Sequence, residues 1–232
     1  MPELVMCIGD SSALPRPGIP YEATWYYLLS RHFTEKAWYP FFRRGATTAL
    51  LGAGGGSDGF PRGGDCLELY SPDTVILQMG VVDCAPRLFC EHGFEQRLMA
   101  RMPSGMCRRY IEFVKKHRQR STRRRWVDAA HFEANVRDFL VRCRNIGVKR
   151  VLVIAIAIPD ASMQERNEDL AASCREYNAI LEKLCGEFPE AELCTILDGE
   201  AAEGLYIDGY HPGIAGHRRI FDHLAPYFEA AQ

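Results

Sequence analysis

Long hydrophobic runs are missing from this sequence of 232 residues. The longest, Val151 to Pro159, is about nine residues, against the roughly 20 that a helix needs to cross a bilayer. No transmembrane segment is expected. The opening run Leu4 to Ile8 is too short for a secretory signal core and has no basic leader. No C-x-x-C pair occurs, and nine cysteines cannot all pair within one chain. They read as reduced, mostly buried thiols, and a cytoplasmic location is expected. The glycine-rich stretch 52–65 is followed by no Gly-Lys-Ser or Gly-Lys-Thr, which excludes a phosphate loop. Asparagine is scarce: Asn135, Asn145, Asn167 and Asn178 are all there is.

What is present is an ordinary globular composition, 47% hydrophobic and 25% charged, at a length one α/β domain can fill. A single domain over 1–232 is expected. The net charge of −2 hides an asymmetry, because residues 101–126 hold ten Lys or Arg and one acid, Glu112. That segment is +9 and the remainder −11.

The apolar run Leu4 to Ile8 stops at Gly9-Asp10-Ser11-Ser12, the pattern of a buried parallel strand entering a turn. Tyr21 to Phe33 reads as a helix, and Ala37 to Phe42 as an edge strand, since Pro40 cannot donate to a ladder. Residues 52–65 read as a loop. Thr74 to Met79 is a central strand by its β-branched content, ending at Gly80. Residues 129–146 carry Phe132, Val136, Phe139, Leu140 and Cys143 at helical spacing, with Gly147 suited to the C-terminal cap. Val151 to Ile158 is a fourth strand, 165–186 a helix, Leu193 to Leu197 a fifth strand and 212–230 a helix. Strands alternating with helices imply a mostly parallel sheet of five strands covered on both faces. Ligands of such sheets sit beyond the carboxyl ends of the strands. Ser11, Gly45 and Gly80 all fall there.

A serine hydroxyl becomes a useful nucleophile when a base takes its proton, and the base works best when a third group fixes its tautomer. Ser11 follows the first strand, and Asp208-Gly209-Tyr210-His211-Pro212 opens the last helix. An Asp three residues before a His on such a turn can hold the imidazole from behind while its other nitrogen faces Ser11. Taken singly, Ser11 could merely cap a helix, and Asp208 and His211 could be a turn and a cap.

Four short blocks, in order and at strand ends, resemble those of the SGNH/GDSL hydrolases. Gly9-Asp10-Ser11 matches the first, Gly45-Ala46-Thr47-Thr48 resembles the second, Gly80-Val81-Val82-Asp83 the third, and Asp208 to His211 matches the last. The resemblance implies a three-layer α/β/α sandwich and ester hydrolysis without a metal or other cofactor. It implies Ser11 as nucleophile, His211 as base, Asp208 as orienter, and N–H groups of Ser11 and Gly45 on the oxyanion. The family's third block supplies an Asn side chain to the oxyanion; here Val82 stands in that place, and none of the four asparagines is near it in sequence. A replacement donor is then expected from elsewhere, with Arg87 and Gln78 nearest, or the fold serves as a weak enzyme or a binding protein. The implied substrate is an O-acyl group on a carbohydrate, with a lysophospholipase or thioesterase activity as the alternative.

Asp10, Asp83 and Arg87 complete the candidate substrate-binding residues. Asp83 also fits a structural role, and Arg87, just past the third strand, could receive an anionic or sugar group or stand solvated. Residues 101–128 read as a basic helical insertion with Met106, Tyr110, Ile111, Phe113, Val114 and His117 as its apolar stripe. It could dock an anionic membrane, glycan or carrier protein, or neutralise the domain's own acidity. Nucleic acid is disfavoured, since the remainder is acidic and carries no RNA- or DNA-binding module pattern. Oligomeric state is not legible.

Overall fold

The computed structural model describes residues 2–52, 63–87, 89, 93–117, 125–198 and 204–229. Five strands, β1 (Leu4–Gly9), β2 (Ala37–Phe42), β3 (Thr74–Gln78), β4 (Arg150–Ile154) and β5 (Ala191–Cys194), form one sheet in the order β2-β1-β3-β4-β5. Every pairing is parallel. Parallel neighbours need crossovers, and helices supply them: α1 (Trp25–His32), α2 (Gly63–Tyr70), α3 (Val81–Cys84), α4 (Phe94–Met99), α5 (Ser104–His117), α6 (Ala129–Asn145), α7 (Ala161–Arg166) and α8 (Glu168–Glu187), while α9 (Ile214–Leu224) follows β5.

Strand alternation divides the interior into two cores. Met6, Ile8, Val75, Leu77, Val151 and Val153 face a cluster that includes Phe132, Val136 and Phe139 of α6 and Tyr177 and Leu181 of α8. Val5, Cys7, Ile76, Leu152 and Ile154 face Trp25 and Leu29 of α1 and Ile220 and Leu224 of α9. The result is a three-layer α/β/α sandwich. Pro40 sits in β2 opposite Cys7, on a strand that pairs with β1 alone, so its missing N–H interrupts no second ladder.

Local signals place the boundaries. Asp128 caps α6 by accepting from the His131 N–H at 2.9 Å, the five apolar positions are buried, and Gly147 follows at φ +82°. Five expectations need correction. Tyr21–Ala23 is a turn of 3₁₀ helix, and Thr24 caps α1 only after it. β4 ends at Ile154, because residues 155–158 leave the sheet and rejoin it by one bridge, Ile158 to Asp198. The helix expected at 165–186 is two, broken at Asn167, and β5 begins at Ala191 and stops at Cys194. Residues 63–65 belong to α2 rather than to a loop, and 53–62 lie outside the described residues.

The order β2-β1-β3 reverses direction beside β1, which opens a crevice at the carboxyl ends of β1 and β3. No helix among the described residues is long and apolar enough to cross a membrane.

Candidate active site

Ser11 begins a short 3₁₀ turn directly after β1. Buried Asp10 caps that turn, its Oδ1 accepting the Ser12 N–H at 2.8 Å, while the Asp10 N–H donates to the Gln78 carbonyl at 3.1 Å. The nucleophile candidate is thus tied to the end of β3 as well as β1. The loop before α9 is closed on itself by Ile207 N–H to the His211 carbonyl at 3.0 Å and Gly213 N–H to the Leu205 carbonyl at 2.7 Å. Gly209 takes φ +96°, and a Cβ there would sit 2.8 Å from that of Met163 and 3.0 Å from Asp160 Oδ1. A glycine is needed for both reasons.

These two loops bring the three expected residues together across the sheet. Ser11 Oγ lies 3.0 Å from His211 Nε2, and His211 Nδ1 lies 2.8 Å from Asp208 Oδ2. Asp208 Oδ1 also accepts the His211 backbone N–H at 3.0 Å. With Nδ1 protonated toward Asp208, Nε2 keeps its lone pair for the serine proton. Burial pushes the His211 imidazole down to about 4, against the opposing pull of Asp208 and with the added push of Arg16 and Arg44. Burial alone would raise the Asp208 carboxyl, but hydrogen bonds from the His211 backbone and ring hold it below the usual carboxylate range.

The remaining candidates are distributed unevenly. Asp83 is buried within α3, where Oδ1 accepts from Thr48 N–H at 2.9 Å and Thr48 Oγ–H at 2.6 Å, while Oδ2 has no partner among the described residues. Burial pushes it up to about 7 despite the Thr48 bonds, and Asp10 adds to the rise. Asp10 is pushed up to about 6 by burial, with the Ser12 bonds and Arg16 opposing. Asp83 therefore ties the third block to the second, while the Asp10 carboxylate closes the turn of the first. Gly45 stands exposed at φ +70° in the turn after β2. Val82 is buried within the α6–α8 side core. Gln78 points to the other layer, where its Oε1 accepts the Trp25 indole N–H at 2.8 Å. The Arg87 guanidinium lies over the Trp126 ring, 4.7 Å from its centroid.

Two neighbours of the Ser11–His211–Asp208 line escaped the sequence. Arg16 is held on a turn closed by Arg16 N–H to Ile19 O at 3.1 Å and Ile19 N–H to Arg16 O at 2.8 Å, with Pro17 and Gly18 at its corner. Its guanidinium touches His211 Nε2 and stands 3.9 Å from Asp208 Oδ2. Tyr210 lays its ring on His211, centroids 3.9 Å apart. The Pro-Arg-Pro-Gly run five residues after Ser11 was the available signal for Arg16, since its rigid turn fixes where an arginine can reach.

Of the basic segment, α5 is described, its side chains through Val114, while 118–124 lie outside the described residues. Its expected apolar stripe is only partly covered: Val114 is buried, whereas Met106 and Phe113 are both exposed.

No protein-family model matches the chain, and no curated protein sequence matches it. Solved structures do. The chain is similar to Axe2, an acetylxylan esterase from Geobacillus stearothermophilus, with a TM-score of 0.62 at 16% identity over 99% of this chain and 95% of that one. It is similar to the esterase EstA from Pseudoalteromonas sp., in a structure inhibited by monoethylphosphonate, with a TM-score of 0.59 at 13% identity over 97% and 96%. A member of the lipolytic protein G-D-S-L family from Veillonella parvula gives 0.60 at 13% over 97% and 98%. Each likeness spans nearly the whole of both chains, and the chain accordingly shares the fold of these two esterases and of this G-D-S-L family member.

Proposed function

We propose that the chain is a serine esterase that hydrolyses a carboxylic ester through an acyl-enzyme, with a small O-acyl group on a carbohydrate as the favoured substrate class. The observation that carries this reading is the continuous line from Ser11 Oγ through His211 to Asp208, with contacts of 3.0 Å and 2.8 Å. In the first half-reaction the Ser11 proton passes to His211 Nε2 while Oγ bonds to the carbonyl carbon. The carbon–oxygen bond to the alcohol then breaks, and His211 returns the proton to the departing oxygen. Water repeats both steps on the acyl-serine and releases the acid. Backbone N–H groups of Ser11 and Gly45 are assigned to the oxyanion, and Asp208 keeps the ring in the productive tautomer. The esterase names of structural neighbours support the reaction class, and the acetylxylan esterase among them supports the carbohydrate.

A fluorophosphonate probe tests the assignment directly. Labelling is expected on the peptide containing Ser11, and well-folded protein that stays unlabelled would favour a binding protein instead. The pH profile adds a second check. An imidazolium cannot accept the serine proton, so with His211 pushed down to about 4, turnover should rise with pH through about 4 and be level by pH 6. A limb near the free-histidine value of about 6.5 would contradict the buried base.

A further inference from the structure

The imidazole of His211 has one free lone pair, and two donors meet it. Ser11 Oγ stands 3.0 Å from Nε2, and the Arg16 guanidinium touches the same nitrogen. A neutral ring whose Nδ1–H is committed to Asp208 can accept from only one of them at a time. While Arg16 holds the nitrogen, the serine proton has no acceptor.

Arg16 belongs to a larger arrangement. Three arginines come from the loops that follow β1, β2 and β3: Arg16, Arg44 and Arg87. The charges of Arg16 and Arg44 both act on His211, and those of Arg16 and Arg87 both act on the Tyr210 hydroxyl beside it. The Nε atoms of Arg16 and Arg87 are buried without a hydrogen-bond partner among the described residues. Among the described residues no carboxylate lies within ion-pair distance of Arg87, and the only one near Arg16 is Asp208 at 3.9 Å, already bonded to His211. The other acids of this end, Asp10 and Asp83, take hydrogen bonds from Ser12 and Thr48. Buried guanidinium N–H groups left unbonded cost free energy, and anionic oxygens are the partners their planar fork fits best.

We propose that the substrate is an ester carrying a carboxylate or phosphate close to the scissile group, and that this anion engages Arg16 and Arg87, drawing Arg16 off His211 Nε2 so that Ser11 can donate to it. The substrate's own charge then arms the base. A neutral ester finds the same triad with Arg16 still across it. The proposal rests on the esterase reading and narrows its substrate.

Matched ester pairs test it. Para-acetoxybenzoate against its methyl ester, and para-acetoxyphenyl phosphate against para-acetoxyanisole, place a carboxylate or a phosphate on the alcohol side. Para-nitrophenyl hemiglutarate against para-nitrophenyl butyrate places a carboxylate on the acyl side. In at least one pair the anion should raise kcat/KM about tenfold or more, the equivalent of ~1.4 kcal/mol, and the pair that responds identifies the anion and its side. The preference should shrink toward one in Arg16→Gln and in Arg87→Gln. Arg16→Gln should also raise kcat on the neutral esters, which a merely structural arginine would not do. Should a variant fold poorly, wild-type protein in about 1 M salt, where the Debye length falls to about 3 Å, should show a reduced preference, half-buried pairs being screened only in part. Ser11-dependent turnover with no anion preference in any pair would overturn this proposal and leave the esterase reading standing. Absence of Ser11-dependent turnover on every ester would remove the esterase reading itself.

Discussion

The two ends of the sheet treat their charged groups in opposite ways. At the amino ends of the strands, Lys36 Nζ donates to Glu3 at 2.7 Å, Thr74 Oγ–H to the same carboxylate at 2.8 Å, and Lys149 Nζ to Asp73 at 2.8 Å. Asp73 also takes the Leu4 N–H at 2.9 Å, and these groups line an open hollow of about 640 Å³. Hydrogen bonds from Leu4 and Lys149 hold Asp73 below the usual carboxylate range; Glu3 is held below it too, where the bonds from Lys36 and Thr74 outweigh burial. At the carboxyl ends, Asp10 and Asp83 are pushed up by burial, and the buried side-chain atoms without partners among the described residues are Arg16 Nε, Asp83 Oδ2 and Arg87 Nε. One end is satisfied internally; the other keeps polar capacity unspent. The hollow at the amino end is lined by groups already paired with one another, whereas the carboxyl end, where the candidate site lies, holds buried polarity without partners among the described residues.

The sharpest break of this comparison is Ser11→Ala, which should reduce ester turnover by about 10⁴-fold or more while leaving the melting curve in place, since triad members act as a unit. If a folded Ser11→Ala kept a tenth of the wild-type rate, the carboxyl end would lose its special status. Next comes Asp83→Asn. A carboxyl raised to about 7 in the fold, against about 3.9 unfolded, favours the folded state while protonated. Wild-type stability should therefore fall as pH rises across that window, by up to about 1.4 kcal/mol per pH unit from this group, and the variant should lose that slope. Denaturant titrations at pH 5 and pH 7 read the difference.

Val82→Asn follows in size. An amide placed among apolar neighbours without a partner should cost about 1 to 3 kcal/mol of stability. A gain in turnover with no loss of stability would instead mean that the side chain reaches the oxyanion. Lys149→Ala, at the opposite end, should be the mildest. Its ammonium is largely exposed, such pairs contribute about 0 to 1 kcal/mol, and turnover should not change.

How much of this could be read beforehand depends on the range of the interaction. β2 was legible to the residue, because an edge strand with a proline and aromatic neighbours carries its signals locally. The Ser11, His211 and Asp208 grouping was legible through the spacing of short blocks, and the geometry brings them into contact. Arg16 was not, since the contact that gives it meaning spans 195 positions, and the Pro-Arg-Pro-Gly run signals a rigid turn without saying what the arginine meets. The limits of β4 and β5 depend on where neighbouring strands stop pairing, so hydrophobicity continued past both ends. Val82 illustrates a third case: block position pointed to the oxyanion, whereas packing places the side chain in the core.

Ser11 and His211 are 200 positions apart. Strands β2 to β5 and helices α1 to α8 all lie between them in the chain. A partly assembled molecule can display the serine on β1 and still be chemically inert, because the imidazole arrives only with the loop that leads into α9. Under the proposed esterase function, ester turnover is consequently a gauge of completed assembly: it would register the seating of the loop before α9 beside the end of β1, and a fragment that stops short of that contact would carry Ser11 without its base.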